Sequence, residues 1–125
     1  MHIIDILMVE DEEAITKLYE ATLQFLPYSF MIVKNGEEVL DLIKTHTFRV
    51  CVLDINLHSN SINGLDLSIL LKKENKAEKV FAMTGYPYVF DGFNPTIAGF
   101  DLIFSKPDEF GLMLKAVDAY LKGNN

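Results

Sequence analysis

Short, uninterrupted apolar runs recur along this chain and alternate with segments whose apolar residues are spaced three or four apart. Continuous apolar runs are typical of strands buried on both faces, and the wider spacing is typical of amphipathic helices. Strands that alternate with helices require crossover connections. The pattern therefore predicts an α/β fold, a three-layer sandwich around one five-stranded parallel sheet. The five expected strands are residues 6–9, 30–33, 50–53, 80–83 and 102–104.

The segment between the fourth and fifth expected strands interrupts this rhythm. It should carry the fourth helix, yet it contains Pro87 and Pro95 together with several glycines. Proline inside a helix removes a hydrogen bond and clashes with the preceding turn, so we expect an irregular fourth helix over residues 87–99. Its aromatic residues would suit a partner or dimer surface as well as a locally repacked helix; they are Tyr86, Tyr88, Phe90 and Phe93.

Length and composition predict a single domain spanning residues 1–125, with half of the residues apolar. The 11 basic and 18 acidic residues give a net charge of −7, which argues against direct nucleic-acid binding by this chain. The single cysteine, Cys51, lies within an apolar run and is expected to be a small buried hydrophobe. The sequence contains neither a bilayer-spanning apolar stretch nor a basic leader, so no membrane association and a cytoplasmic location are expected.

Chemically suggestive residues stand where the expected strands end. Glu10 and Asp11 follow the first strand, Asp54 the third, Thr84 the fourth and Lys106 the fifth. The carboxyl ends of parallel strands meet at one edge of a sheet, where sites form in such folds. Carboxylates brought together repel and stay ionised only with a cation between them, and hard oxygen ligands suit Mg²⁺.

Each of these residues has an ordinary explanation when taken alone. Acidic residues 11–13 suit the first turn of a helix, and Asp54 suits a turn. Thr84 is common in strands, Lys106 enters a Lys-Pro turn, and Asp108 is a plausible N-cap of the last helix. The case rests on their joint occurrence at four strand ends. The histidines have no mutual metal-ligand spacing and are interpreted as surface residues; they are His2, His46 and His58.

Taken together, the stretches ILMVEDEE, VLDINL, NGLDL, FAMTGY and FSKP resemble the receiver domain of two-component response regulators, the CheY-like family. The resemblance covers essentially the whole chain. It implies a flavodoxin-like fold with strand order 2-1-3-4-5. It also implies a phosphorelay switch that is phosphorylated by a sensor histidine kinase or phosphotransfer protein and that acts on an output domain or partner protein. Such a domain is not an enzyme on an external substrate.

The resemblance also implies roles for individual residues. Asp54 matches the phosphoacceptor, and Glu10 and Asp11 match the acidic pair that holds Mg²⁺. The backbone carbonyl of Asn56 matches a further metal ligand. Two residues match those that contact the phosphoryl group, Thr84 through its hydroxyl and Lys106 through its ammonium, and the bond from Lys106 to Pro107 matches a peptide that is usually cis.

Three features depart from the family pattern. Ile103 occupies the position of an aromatic switch residue, while the neighbouring Phe104 should point to the other face of the sheet. The loop 58–63 is slightly long and lacks the common proline. The third departure is the irregular segment 87–99, which falls on the expected signalling face.

Three alternatives remain open at this point. A degenerate receiver would act only as a protein-binding module, which Ile103 favours and the intact Asp54 disfavours. A Mg²⁺-dependent phosphatase with an aspartyl nucleophile usually has a second acid two residues after the nucleophile, where this chain has Asn56. A flavodoxin-like cofactor binder would need a phosphate loop after the first strand, which the sequence does not contain.

Overall fold

The computed structural model describes residues 1–55, 64–85 and 99–123. In chain order its elements are β1 (His2–Val9), α1 (Glu13–Leu23), β2 (Phe30–Val33), α2 (Gly36–Leu42), β3 (His46–Asp54), α3 (Gly64–Lys73), β4 (Ala77–Thr84), β5 (Leu102–Ser105) and α4 (Phe110–Leu121). Several predicted features lie outside the described residues: Asn56, Tyr86, the loop 58–63 and, apart from Gly99, the irregular helix.

All five strands are parallel and lie in the order β2-β1-β3-β4-β5, which confirms the predicted sheet. β3 is the central strand, and its side chains from Val50 to Leu53 are at most 1% exposed. Burial on both faces explains why this segment is continuously apolar rather than alternating. Cys51 is free and buried, as expected, and burial raises the pKa of its thiol.

Two apolar clusters cover the two faces of the sheet. Cys51 and Leu53 of β3 face the cluster to which α2 and α3 contribute. Val50 and Val52 face the cluster to which α1 and α4 contribute. The chain is therefore the three-layer sandwich that the sequence predicts.

Alternation along β5 separates its two central side chains. Ile103 packs against the cluster on the α2 and α3 side, whereas Phe104 packs on the α1 and α4 side. There Phe104 meets Phe81 edge to face, with ring centroids 5.9 Å apart. The expectation that Phe104 points away from Ile103 is confirmed.

Some boundaries differ from the prediction. β1 and β3 begin earlier, at His2 and His46, because these two strands continue to pair beyond their apolar stretches. The proposal that Asp108 caps the last helix is wrong, since α4 begins at Phe110 and Glu109 occupies the N-cap position. The Glu109 carboxylate instead accepts hydrogen bonds from the backbone N–H and hydroxyl of Ser105.

Gly99 combines a left-handed backbone conformation with a close backbone neighbour. Its φ is +86°, and a Cβ there would lie 2.9 Å from the carbonyl oxygen of Ser68 in α3. L residues with a side chain pay about 1–2 kcal/mol for this backbone conformation, and the contact adds to that cost.

We therefore expect Gly99→Ala to lower the free energy of unfolding by about 1–2 kcal/mol or more, measured by urea denaturation. Gly111→Ala is the matched control, because a Cβ at Gly111 in α4 meets nothing within 4 Å. That substitution should be neutral or stabilising by up to about 1 kcal/mol. Equal effects of the two substitutions would contradict this account.

Candidate functional site

The carboxyl ends of β1, β3 and β5 bring three distant side chains to one edge of the sheet. Glu10 directly follows β1, and its N–H extends the ladder to β2 by donating to the Val33 carbonyl at 2.9 Å. Asp54 is the last residue of β3 and lies opposite Met83 of β4. Lys106 directly follows β5, so parallel pairing alone places these residues at the same edge.

The Lys106 ammonium lies between two carboxylates. Its Nζ is 2.7 Å from Asp54 Oδ1 and 3.0 Å from Glu10 Oε1. The three side chains are largely withdrawn from solvent, with 17% of Lys106, 11% of Asp54 and 1% of Glu10 exposed. Low exposure strengthens these interactions relative to surface ion pairs.

Asp11 completes an acidic cluster on the solvent side. Carboxylate oxygens of Glu10, Asp11 and Asp54 lie within 4.8 Å of one another. Asp11 itself is exposed, so the cluster is open to an ion from solution. Three carboxylates form a hard oxygen donor set that fits Mg²⁺, which retains several waters and binds through few protein ligands.

The charges of this cluster perturb one another. Burial raises the pKa of Glu10 from its ordinary 4.5 to about 7, with the hydrogen bond to Asp54 and its negative charge acting in the same direction and Lys106 opposing them. Burial alone would lower the pKa of Lys106, but its hydrogen bonds and charge pairing with Asp54 and Glu10 outweigh burial and raise it. Glu10 and Lys106 therefore titrate as interacting groups.

Local contacts fix the orientation of Glu10. Its Oε2 accepts a hydrogen bond from the Glu12 N–H at 3.3 Å, and its backbone carbonyl accepts one from the Thr16 hydroxyl at 3.3 Å. Both donors lie at the entry to α1. The first turn of α1 and the residue before it therefore orient Glu10 at the edge of the sheet.

Thr84 ends β4 and is fully buried. It follows Met83, the partner of Asp54, so it belongs to the same edge of the sheet. Its carbonyl accepts a hydrogen bond from the Lys106 N–H at 2.8 Å. The bond from Lys106 to Pro107 is cis, as the family resemblance implies.

The sequence did not indicate a role near this site for Tyr19. Tyr19 in α1 is 2% exposed and stacks on Phe110 at the start of α4, with ring centroids 5.3 Å apart. Burial, followed by the negative charges of Glu10 and Asp54, raises the pKa of its phenol. Its helical spacing indicated only a core position, because the proximity depends on how α1 and α4 pack on the sheet.

Comparison with known proteins agrees with this geometry. The family model for the response regulator receiver domain matches residues 6–118. The chain belongs to this family. The receiver-domain match runs from the second half of β1 through most of α4, and it includes every strand end described above.

Two similar curated proteins differ greatly in length. The uncharacterized transcriptional regulatory protein YkoG of Bacillus subtilis is 29% identical over 119 residues, covering 95% of this chain and 51% of that protein. The polar-differentiation response regulator DivK of Brucella anthropi is 26% identical over 118 residues, covering 93% of this chain and 94% of that protein. This receiver domain thus spans about half of the first relative and nearly all of the second.

Solved structures share the fold. The receiver domain of the Francisella response regulator 1452 superposes with a TM-score of 0.82 at 20% identity, covering 98% of this chain and 99% of that one. The response regulator TrrA of Thermotoga maritima, in complex with Mg²⁺-BeF, superposes with a TM-score of 0.71 at 27% identity. That match covers 94% of this chain and 99% of the TrrA chain.

Within the described ranges, no helix has the length and apolarity needed to cross a membrane.

The raised pKa of Glu10 makes stability depend on pH. Between the ordinary value of 4.5 and about 7, folded Glu10 retains a proton that the unfolded chain has released. The free energy of unfolding therefore falls as pH rises through that window. The loss is up to about 1.4 kcal/mol for each unit by which folding raises the pKa of Glu10.

We expect the free energy of unfolding in Mg²⁺-free buffer to fall less steeply across this window in Glu10→Gln than in the unsubstituted chain. Denaturant titrations at several pH values would measure the slopes. Glu13→Gln, which changes an exposed carboxylate in α1, is the control and should retain the original slope. Identical slopes in all three proteins would disprove the assignment.

Proposed function

We propose that this receiver domain is a phosphorelay switch that accepts a phosphoryl group on Asp54. The observation that carries the proposal is the Lys106 ammonium 2.7 Å from Asp54 Oδ1, beside three carboxylates whose oxygens lie within 4.8 Å of one another. A nucleophilic carboxylate, a cation for phosphoryl oxygens and a hard-ion donor set are the parts that phosphoryl transfer needs.

Glu10, Asp11 and Asp54 would hold Mg²⁺, together with the backbone carbonyl of Asn56. When bound, the ion offsets the charge that accumulates when an anionic phosphoryl donor approaches these carboxylates. The family membership and the Mg²⁺-BeF complex of TrrA support this assignment.

The residues of the chain then carry out the transfer. A carboxylate oxygen of Asp54 attacks phosphorus in line, and an O–P bond forms as the P–N bond to a donor imidazole breaks. The departing imidazole nitrogen takes up a proton from solvent. Lys106 binds a phosphoryl oxygen as a point charge, and the Thr84 hydroxyl donates to another. Water later hydrolyses the acyl phosphate.

Switching follows as a population shift. The phosphoryl group draws the Thr84 hydroxyl inward and biases the face formed by the segment before β5, by β5 and by α4. Because Ile103 is not aromatic and Phe104 packs on the opposite face, this switching would proceed without the family's usual aromatic relay.

The donor is a sensor histidine kinase or phosphotransfer protein, and the receiver acts on an output domain or a separate partner protein, with homodimerisation as one route. Both arrangements are compatible with the lengths of the relatives, since the match spans 51% of YkoG and 94% of DivK. Residues 1–125 would form a single receiver domain, and this domain would act in the cytoplasm.

One alternative has an observation in its favour. A degenerate receiver that only binds partners would not need an aromatic switch residue, which is consistent with Ile103 at that position. It predicts that Asp54 acquires no phosphoryl group under any condition, so the phosphorylation experiment separates the two functions.

We expect the chain to gain one phosphoryl group when incubated with Mg²⁺ and acetyl phosphate, as detected by intact-mass spectrometry. Chelation of the ion or Asp54→Asn should abolish the gain. Lys106→Ala should slow it by about a hundredfold, the usual cost of losing one charge-stabilising donor. Lys122→Ala, which changes a lysine paired with Asp118 at the end of α4, is the matched control.

A chain that stays unmodified would establish the binding-module alternative instead. Sustained turnover of a chromogenic phosphate ester would indicate the phosphatase.

Asn56 and Tyr86 stand two residues beyond Asp54 and Thr84 in the sequence, where their side chains would control the access of hydrolytic water. We expect Asn56→Ala and Tyr86→Ala each to change the lifetime of the phosphorylated chain, followed by the decay of the phosphorylated mass. Unchanged decay in both variants would refute their role, whereas Tyr120→Phe, at the far end of α4, should leave the lifetime unaltered.

A further inference from the structure

The sheet brings two histidines together at the edge opposite Asp54. His2 opens β1 and His46 opens β3, and they are direct partners in the parallel register. Their ring centroids lie 5.3 Å apart with planes inclined by 39°. His2 is exposed and His46 is partly buried, so the expectation of surface histidines holds for His2. The proximity of the two rings was not predicted, because spacing along the chain does not reveal cross-strand register.

The contacts of His46 involve one of its two ring nitrogens. Its Nδ1 lies 2.8 Å from the Thr45 hydroxyl oxygen and 3.3 Å from the Leu42 carbonyl oxygen. The Thr45 hydroxyl can donate either to Nδ1 or to the Leu42 carbonyl, which lies 3.4 Å away. A proton on Nδ1 satisfies both Nδ1 contacts at once, because a carbonyl can only accept, and this tautomer presents the Nε2 lone pair of His46 to a metal ion.

This arrangement is how proteins prepare an imidazole to bind a metal. A ring N–H donated to an oxygen fixes the tautomer and increases the basicity of the other nitrogen. A tetrahedral ion with metal–nitrogen distances of about 2.1 Å holds two imidazole centroids roughly 5 Å apart, which agrees with the 5.3 Å between His2 and His46.

We propose that His2 and His46 form a bidentate site for a borderline divalent transition ion, with Zn²⁺ as the best fit. Imidazole nitrogen suits Zn²⁺, whereas Mg²⁺ selects oxygen ligands. Among the described residues, no further histidine, cysteine or carboxylate joins the pair into a group of three. Water completes the coordination, and the ion joins the first residue of β1 to β3.

The site is separate from the acidic cluster and does not depend on the proposed phosphorelay function. β1 spans 8 residues and β3 spans 9. At about 3.3 Å per residue the two ends of the sheet are roughly 25 Å apart. The two ends of the sheet therefore select different ions, because the oxygen donors beside Asp54 suit Mg²⁺ and the nitrogen donors of His2 and His46 suit Zn²⁺.

The test is a calorimetric titration of the full chain with Zn²⁺ in saturating Mg²⁺, which keeps the acidic cluster occupied. We expect one Zn²⁺ per chain, and we expect His2→Ala and His46→Ala each to weaken binding by about tenfold or more. His58→Ala is the matched control and should bind as the original chain does. In NMR spectra, Zn²⁺ should shift the Nε2 resonance of His46.

Thr45→Val tests the tautomer argument while retaining both rings. It removes the hydroxyl that contacts Nδ1 and should weaken Zn²⁺ binding by about tenfold, the usual effect of losing a group that orients a ligand. Undiminished binding in both His2→Ala and His46→Ala, or an equal loss in His58→Ala, would overturn the site. Circular dichroism of each variant verifies that the fold is intact.

Discussion

The position of the Lys106 ammonium between Asp54 and Glu10 is the interaction on which the functional edge depends. Its two ion pairs join residues 52 and 96 positions apart in the chain. Only the convergence of β1, β3 and β5 brings these groups together. Removing one partner of so buried a set would leave another charge without compensation, which is costly. The geometry of the site therefore depends directly on the topology of the sheet, and the three charged groups come together only when the strands are correctly assembled.

The charge balance of the pocket explains its chemistry. Three carboxylates face a single ammonium, and burial leaves Glu10 with a pKa of about 7. Such a pocket favours binding a further cation or proton over remaining fully ionised. The proposed phosphoryl transfer would use this property, because an added ion would balance both the acidic cluster and the incoming phosphate.

The fold was largely predictable because the continuous apolar runs in the sequence form the buried strands of the sheet. The parallel sheet, its two covered faces, the burial of Cys51 and the opposite orientations of Ile103 and Phe104 follow from strand periodicity, whereas the strand order was implied by the family resemblance. Other features depend on tertiary packing. The meeting of His2 with His46 depends on the register of strands that are not adjacent in sequence. Their strands begin with mixed polar residues, which concealed their true starts. The helix begins after Glu109 rather than after Asp108, and the Glu109 carboxylate accepts from Ser105, a contact that the sequence pattern does not reveal.

The hydrogen bond from the Lys106 N–H to the Thr84 carbonyl has a consequence for how the domain can diversify. It fixes the separation of two proposed phosphoryl-binding residues through the backbone of neighbouring strands. In the sequence, residues 86–98 lie between these two positions. Insertions or deletions there would leave this backbone hydrogen bond in place, so the length of that segment could change while the spacing of Thr84 and Lys106 stays constant.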